Sequence, residues 1–149
     1  MYNANTKDRV RTDFIAIHCS ATNEKQNFGA ADIDKWHRAK GWACIGYHYV
    51  IKRDGTIEVG RKESQIGAHV ANWNGTSLGI CMIGGVDADD PKKAEDNFTP
   101  EQYESLKELL RKLKVTYPKA KIQGHRDFPQ VAKACPCFDV ATWLKEAGV

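Results

Sequence analysis

Two short apolar runs, Phe14-Ile15-Ala16-Ile17 and Leu78 to Ile83, restrict the fold of this chain more than any other feature. Neither alternates with polar residues, and each is shorter than an ordinary helix. Both therefore read as strands buried on two faces. The first ends in His18, and the second is stopped by Gly84-Gly85. A sheet with two covered faces needs helices, and the sequence supplies them. Ala30 to Lys40 puts Ile33 and Trp36 on one face with His37 beside them, and Gly41 is a stop signal. A second helix begins at Thr99. Thr99 caps it, Pro100 takes the first helical position, and Gln102 completes a capping box. Tyr103, Leu106, Leu109, Leu110 and Leu113 then form one apolar stripe at helical spacing, which is core.

The remaining segments complete the pattern. Tyr47 to Arg53 and Thr56 to Val59 flank Asp54-Gly55, a hairpin signal. Ala120 to Gly124 is a short strand that leads into His125. Asp139 caps a last helix carrying Val140, Trp143 and Leu144. The order β-α-β-β-β-α-β-α predicts one α/β domain, a mixed β-sheet flanked by helices. A chain of 149 residues has room for one such core. Residues 1–12 read as a loose arm, and residues 13–149 as the domain.

Composition narrows the partners. With 42% hydrophobic and 28% charged residues the chain is an ordinary globular one. A net charge of +3, with Lys and Arg scattered, gives no footprint for nucleic acid. No segment approaches the ~20 apolar residues of a membrane span. The opening MYNANTKDRVRTD has no apolar core of signal-peptide length. The expectation is a monomer made and kept in the cytoplasm. A target outside would then require release by another agent. The five cysteines, 19, 44, 81, 135 and 137, are odd in number, which argues against a disulfide framework. Cys44 and Cys81 lie among apolar residues and read as buried small hydrophobes. Trp42 and Tyr49 read as core aromatics, and His37 as a packed or surface histidine.

His18, His125 and Cys135 stand at or just beyond strand ends, where neighbouring strands can bring side chains together. Two imidazoles and one thiolate suit zinc, and three protein ligands leave a fourth position open for water. The separation of the three in sequence forms no compact motif, so unrelated roles stay open on spacing alone. Cys19 follows His18 directly and in a regular strand points to the opposite face.

Four ordered blocks carry a resemblance. They are Ile17-His18-Cys19-Ser20-Ala21-Thr22; Gly46-Tyr47-His48-Tyr49-Val50-Ile51 with Asp54-Gly55; Gly67-Ala68-His69 with Asn74 and Ser77-Leu78-Gly79-Ile80; and Gly124-His125-Arg126-Asp127 with Lys133-Ala134-Cys135-Pro136. Together they resemble the type 2 family of N-acetylmuramoyl-L-alanine amidases, a fold shared with peptidoglycan recognition proteins. The likeness covers nearly the whole chain. It implies a zinc ion on His18, His125 and Cys135, with Tyr47 and Lys133 as catalytic residues and His69 lining the substrate cleft. Trp73 and Asn74, in the loop after His69, join it as candidate substrate contacts. One departure is visible. The stretch between His125 and the cysteine is longer than in a phage member of the family, which makes Cys137 a rival ligand to Cys135.

The implied substrate is bacterial peptidoglycan or muropeptides, cut between N-acetylmuramic acid and L-alanine. The small size and polar start fit a phage or prophage lysin. Three other readings stand beside this one. A non-catalytic peptidoglycan-binding module of the same fold would be expected to lack the cysteine ligand. A thiol hydrolase would use Cys135 with His125. Some phage members of the family also bind a polymerase, for which the N-terminal arm would be the contact.

Overall fold

The computed structural model describes residues 2–4 and 7–149. Its elements are β1 (Phe14–Cys19), α1 (Ala30–Ala39), β2 (Tyr49–Ile51), β3 (Ile57–Val59), β4 (Ser77–Met82), α2 (Pro100–Thr116), β5 (Lys121–Gly124) and α3 (Val140–Ala147). The strands form one sheet in the order β3-β2-β4-β1-β5. β1 runs parallel to both β4 and β5, and β2 runs parallel to β4. The hairpin β2-β3 is antiparallel. This is the mixed sheet with flanking helices that the apolar runs predict.

Alternation along the central strands sorts side chains between two layers. Ile15, Ile17 and Cys19 of β1 join Leu78, Ile80 and Met82 of β4 against Leu106, Leu109, Leu110 and Leu113 of α2 and Val140 of α3. On the opposite face Val50 and Cys81 meet Ala30 and Ile33 of α1. Ala16 packs there with Val70 and Phe128. His18, two residues beyond Ala16, opens onto that second face.

Helix α2 is fixed to the sheet at its first turn. The Thr99 hydroxyl accepts from the Gln102 N–H at 3.1 Å, and the Gln102 side-chain oxygen accepts from the Thr99 N–H at 3.0 Å. The same Gln102 side chain is fully buried and donates to the carbonyls of Ile51 at 3.1 Å and Ile83 at 2.9 Å. One side chain therefore caps the helix and satisfies carbonyls at the ends of β2 and β4.

The hairpin strands are shorter than expected. Regular pairing stops at Ile51 because the turn begins there. Lys52 N–H bonds the Thr56 carbonyl and Gly55 N–H bonds the Lys52 carbonyl, both at 2.9 Å, with Gly55 at φ 89°. At the other end, bonds from Gly60 and Arg61 to the carbonyls of His48 and Tyr47 continue the pairing irregularly.

The described part of the N-terminal arm is hydrogen-bonded to residues 63–66. Arg9 N–H bonds the Ser64 carbonyl at 2.8 Å, and Ile66 N–H bonds the Lys7 carbonyl at 2.9 Å. The Arg9 guanidinium donates to the carbonyls of Glu63 and Gln65 and to Thr12 Oγ1. Polar residues that looked unattached in sequence serve backbone carbonyls here, a contact that no hydrophobic pattern announces. Residues 1, 5 and 6 lie outside the described residues.

Replacing Gln102 with Leu removes one hydrogen bond from each of two carbonyls, leaving that of Ile51 with the Ile83 N–H and that of Ile83 with Arg53, and removes half of the cap. Urea unfolding should show a loss of about 1–3 kcal/mol, with the slope unchanged. Thr99→Ala should cost about 1 kcal/mol. A Gln102→Leu protein as stable as the parent would contradict this account of how α2 is held.

Candidate active site

The register of β1 against β5 builds the first half of the site. Ile17 stands opposite Gly124, so the next residues, His18 and His125, leave adjacent parallel strands side by side. Their ring centroids are 4.6 Å apart. The second half is a loop whose base is closed by Arg126 N–H bonding the Cys135 carbonyl at 2.9 Å. That bond returns Cys135 to His125 however long the loop between them is. Cys135 Sγ accepts from the Cys19 N–H at 3.0 Å. The candidate ligand atoms of His18, His125 and Cys135 all lie within 4.8 Å of one another.

The other two cysteines nearby face elsewhere. Cys19 points into the α2 layer, as alternation requires, and its Sγ is 3.8 Å from Cys137 Sγ. Cys137 Sγ donates to the Gly85 carbonyl at 3.1 Å. The hydrogen bond with Cys135 leads in pushing the Cys19 thiol up to about 12. The hydrogen bond with Cys19, followed by burial, raises Cys137. Thiols that keep their protons are poor metal ligands. Cys135 is thus the cysteine that geometry joins to the two histidines.

The imidazoles are held neutral. Burial depresses His18 well below the usual histidine range, with His69, His125 and Lys133 adding to the effect. Burial also lowers His125, again helped by Lys133. Neutral imidazole has the lone pair that a metal needs. Three ligands bound about 2.0–2.3 Å from one ion stand roughly 3.3–3.8 Å apart in a tetrahedral site. The donor set fits a zinc ion with one open position, and its atoms, within 4.8 Å of one another, would draw together by up to about an ångström around it.

Tyr47 adjoins this cluster, its ring centroid 5.0 Å from that of His18. Burial pushes its phenol well above the ordinary value, so it keeps its proton and acts as a donor. Lys133 is exposed on the loop before Cys135. Two hollows share His69, His125 and Lys133 as lining residues here. One, of about 330 Å³, contains His18, Tyr47, His69, His125, Lys133 and Cys135. The other, of about 440 Å³, extends past His69, Asn74, Gln130 and Lys133. Trp42 lines both.

His69 reaches the cluster directly, with Nδ1 2.9 Å from His18 Nε2. Asn74 lines the larger hollow, but its side-chain oxygen accepts from the N–H groups of His69 at 2.8 Å and Val70 at 2.9 Å. Trp73 packs edge-on against Phe14, centroids 5.5 Å apart, and against Phe128 at 5.9 Å. It is not among the residues that line either hollow. Trp42 is the reverse case. Expected in the core, it is 38% exposed and lies tilted against His37 with centroids 4.4 Å apart. Its place just after Gly41, where the chain leaves α1, was the available signal. Buried His48 accepts from the Gly79 N–H through Nδ1 at 3.0 Å and meets the Gln65 carbonyl through Nε2 at 2.7 Å.

Residues 8–138 match the family of N-acetylmuramoyl-L-alanine amidases. The chain is 44% identical over 137 residues to the endolysin of Enterobacteria phage K11, spanning 92% of this chain and 88% of that one. Among solved structures it is similar to the N-acetylmuramoyl-L-alanine amidase LysC from Clostridium intestinale URNW. The TM-score is 0.78 and the identity 29%, over 99% of this chain and 96% of that one. It shares its fold with a bumblebee peptidoglycan recognition protein, PGRP-SA, at a TM-score of 0.75 and 21% identity, over 96% and 92% of the two chains.

Asn74 holds the loop that presents His69, so Asn74→Ala should free the His69 and Val70 amides. Hydrogen exchange at those two should accelerate by at least about tenfold, the loss of roughly 1.4 kcal/mol of protection. Unchanged exchange at both would show that Asn74 does not set the loop.

Proposed function

This chain belongs to the N-acetylmuramoyl-L-alanine amidase family and is an amidase of the phage endolysin type; we propose that it cuts peptidoglycan with the help of a zinc ion held by His18, His125 and Cys135. The observation that carries the proposal is the convergence of these three ligand atoms within 4.8 Å at the ends of two adjacent strands. The bond cut is the amide between the lactyl group of N-acetylmuramic acid and L-alanine. When bound, zinc lowers the pKa of a coordinated water to about 7 and polarises a carbonyl.

The chain's own residues do the rest. The neutral rings of His18 and His125 supply lone pairs without first losing a proton. The hollow beside His69 and Asn74 receives the stem peptide and orients the scissile amide. Tyr47, protonated and next to His18, relays a proton: its O–H passes to the leaving amine as its oxygen takes the proton that the attacking water loses, so the phenol ends as it began. Lys133, at the mouth, offsets the negative charge that develops on the carbonyl oxygen.

A binding module of this fold would need neither Cys135 nor Tyr47 nor Lys133, and all three face one cleft. A thiol hydrolase would use Cys135 and His125 without a metal. No helix among the described residues is long and apolar enough to cross a membrane. The enzyme reaches the wall after release by another agent.

Digestion of purified peptidoglycan with and without a zinc chelator, followed by mass analysis, tests this reading. Products should carry free L-alanine amino ends, and the chelator should stop their formation. Cys135→Ser should lose bound zinc, whereas Cys137→Ser should retain it. Tyr47→Phe should keep zinc and lose most turnover, about 10²–10⁴-fold. New reducing sugars, or cleavage unaffected by the chelator, would overturn the assignment.

A further inference from the structure

The ring of His69 sits in a slot made for it. A Cβ on Gly79 would come within 2.7 Å of His69 Cγ and 2.8 Å of its Nδ1 and Cδ2. A Cβ on Gly67 would come within 2.8 Å of the same Cδ2. Asn74 fixes the backbone of His69 from the other side. The His48 ring meets it edge-on, with centroids 5.7 Å apart. A ring held this closely is oriented for a purpose that lining a cleft does not require.

The hydrogen-bond partners show what the orientation does. The Ser77 hydroxyl lies 2.7 Å from the Trp73 carbonyl, which can only accept, so the hydroxyl donates there and its oxygen remains an acceptor. His69 Nε2 faces that oxygen at 3.5 Å. Nε2 of His69 therefore carries the proton. In a neutral imidazole the other nitrogen then accepts. His69 Nδ1 lies 2.9 Å from His18 Nε2, so His18 Nε2 donates. The proton of His18 is thereby assigned, and its Nδ1 is left bare.

We infer that Ser77 and His69 are positioning residues that hold His18 as its Nε2–H tautomer, so that Nδ1 is the nitrogen presented to the metal. The inference rests on His18 being a ligand, as proposed above. The opposite tautomer would aim an N–H at the ion, and no bond could form until the proton moved. Outer partners of metal-bound histidines that fix the tautomer in this way typically change metal affinity about 10–100-fold when removed. His69 thus acts on the metal through His18, in addition to lining the cleft.

Imidazole ¹⁵N NMR of the zinc-free full chain at pH 8 reads the tautomers directly. His18 and His69 should both appear as Nε2–H. His69→Ala should convert His18 to a mixture and weaken zinc about 10–100-fold in a chelator competition. His69→Asn, whose Oδ1 can stand where Nδ1 accepted, should restore both the tautomer and most of the affinity. Ser77→Ala should randomise His69 first. An Nδ1–H signal from His18 in the parent protein, or a His18 spectrum unmoved by His69→Ala, would overturn the inference. Because the tautomer is read without metal, a parent chain that binds no zinc would sink the zinc assignment and leave this result standing separately.

Discussion

The alternation of side chains along β1, a strand flanked by two parallel partners, governs the rest of the molecule. Ile15, Ile17 and Cys19 go into the α2 layer, and Ala16 and His18 go to the other face. The hydrophobic core and the reactive cleft are therefore two sides of one strand. A shift of one residue would bury His18 among leucines and put Ile17 in the cleft. Pairing with both β4 and β5 fixes that register, and the pairing with β5 also places His125 beside His18.

Burial then decides the chemistry of the cleft. Histidines gathered around a lysine would repel one another if charged. Desolvation removes that problem by keeping His18, His69 and His125 neutral. The same burial keeps the proton on Tyr47. Cys19 and Cys137 are removed from competition by their mutual contact on the core side of the sheet. Neutral nitrogen donors, one available thiol and one retained phenol proton are what the proposed zinc site would use.

Much of this was legible in the sequence because strong local signals agreed with the tertiary structure. The apolar runs gave β1 and β4, the Thr99–Gln102 box gave the start of α2, and strand parity placed Cys19 opposite His18. The rest depends on contacts that have no local pattern. The docking of Arg9 is written in the carbonyls of residues 63 and 65. The choice of Cys135 over Cys137 depends on the Arg126–Cys135 bond that closes the loop. Trp42 lines the cleft and Trp73 packs on Phe14 and Phe128, because an aromatic residue in a loop can do either. The second use of Gln102, bonding two strand carbonyls, was invisible for the same reason.

X-ray absorption at the zinc edge on the purified full chain tests the central claim most directly. The account predicts one zinc per chain, with one sulfur at about 2.3 Å, two imidazole nitrogens at about 2.0–2.1 Å and one light oxygen ligand. A site with two or more sulfurs, or no zinc retained by the active protein, would contradict it.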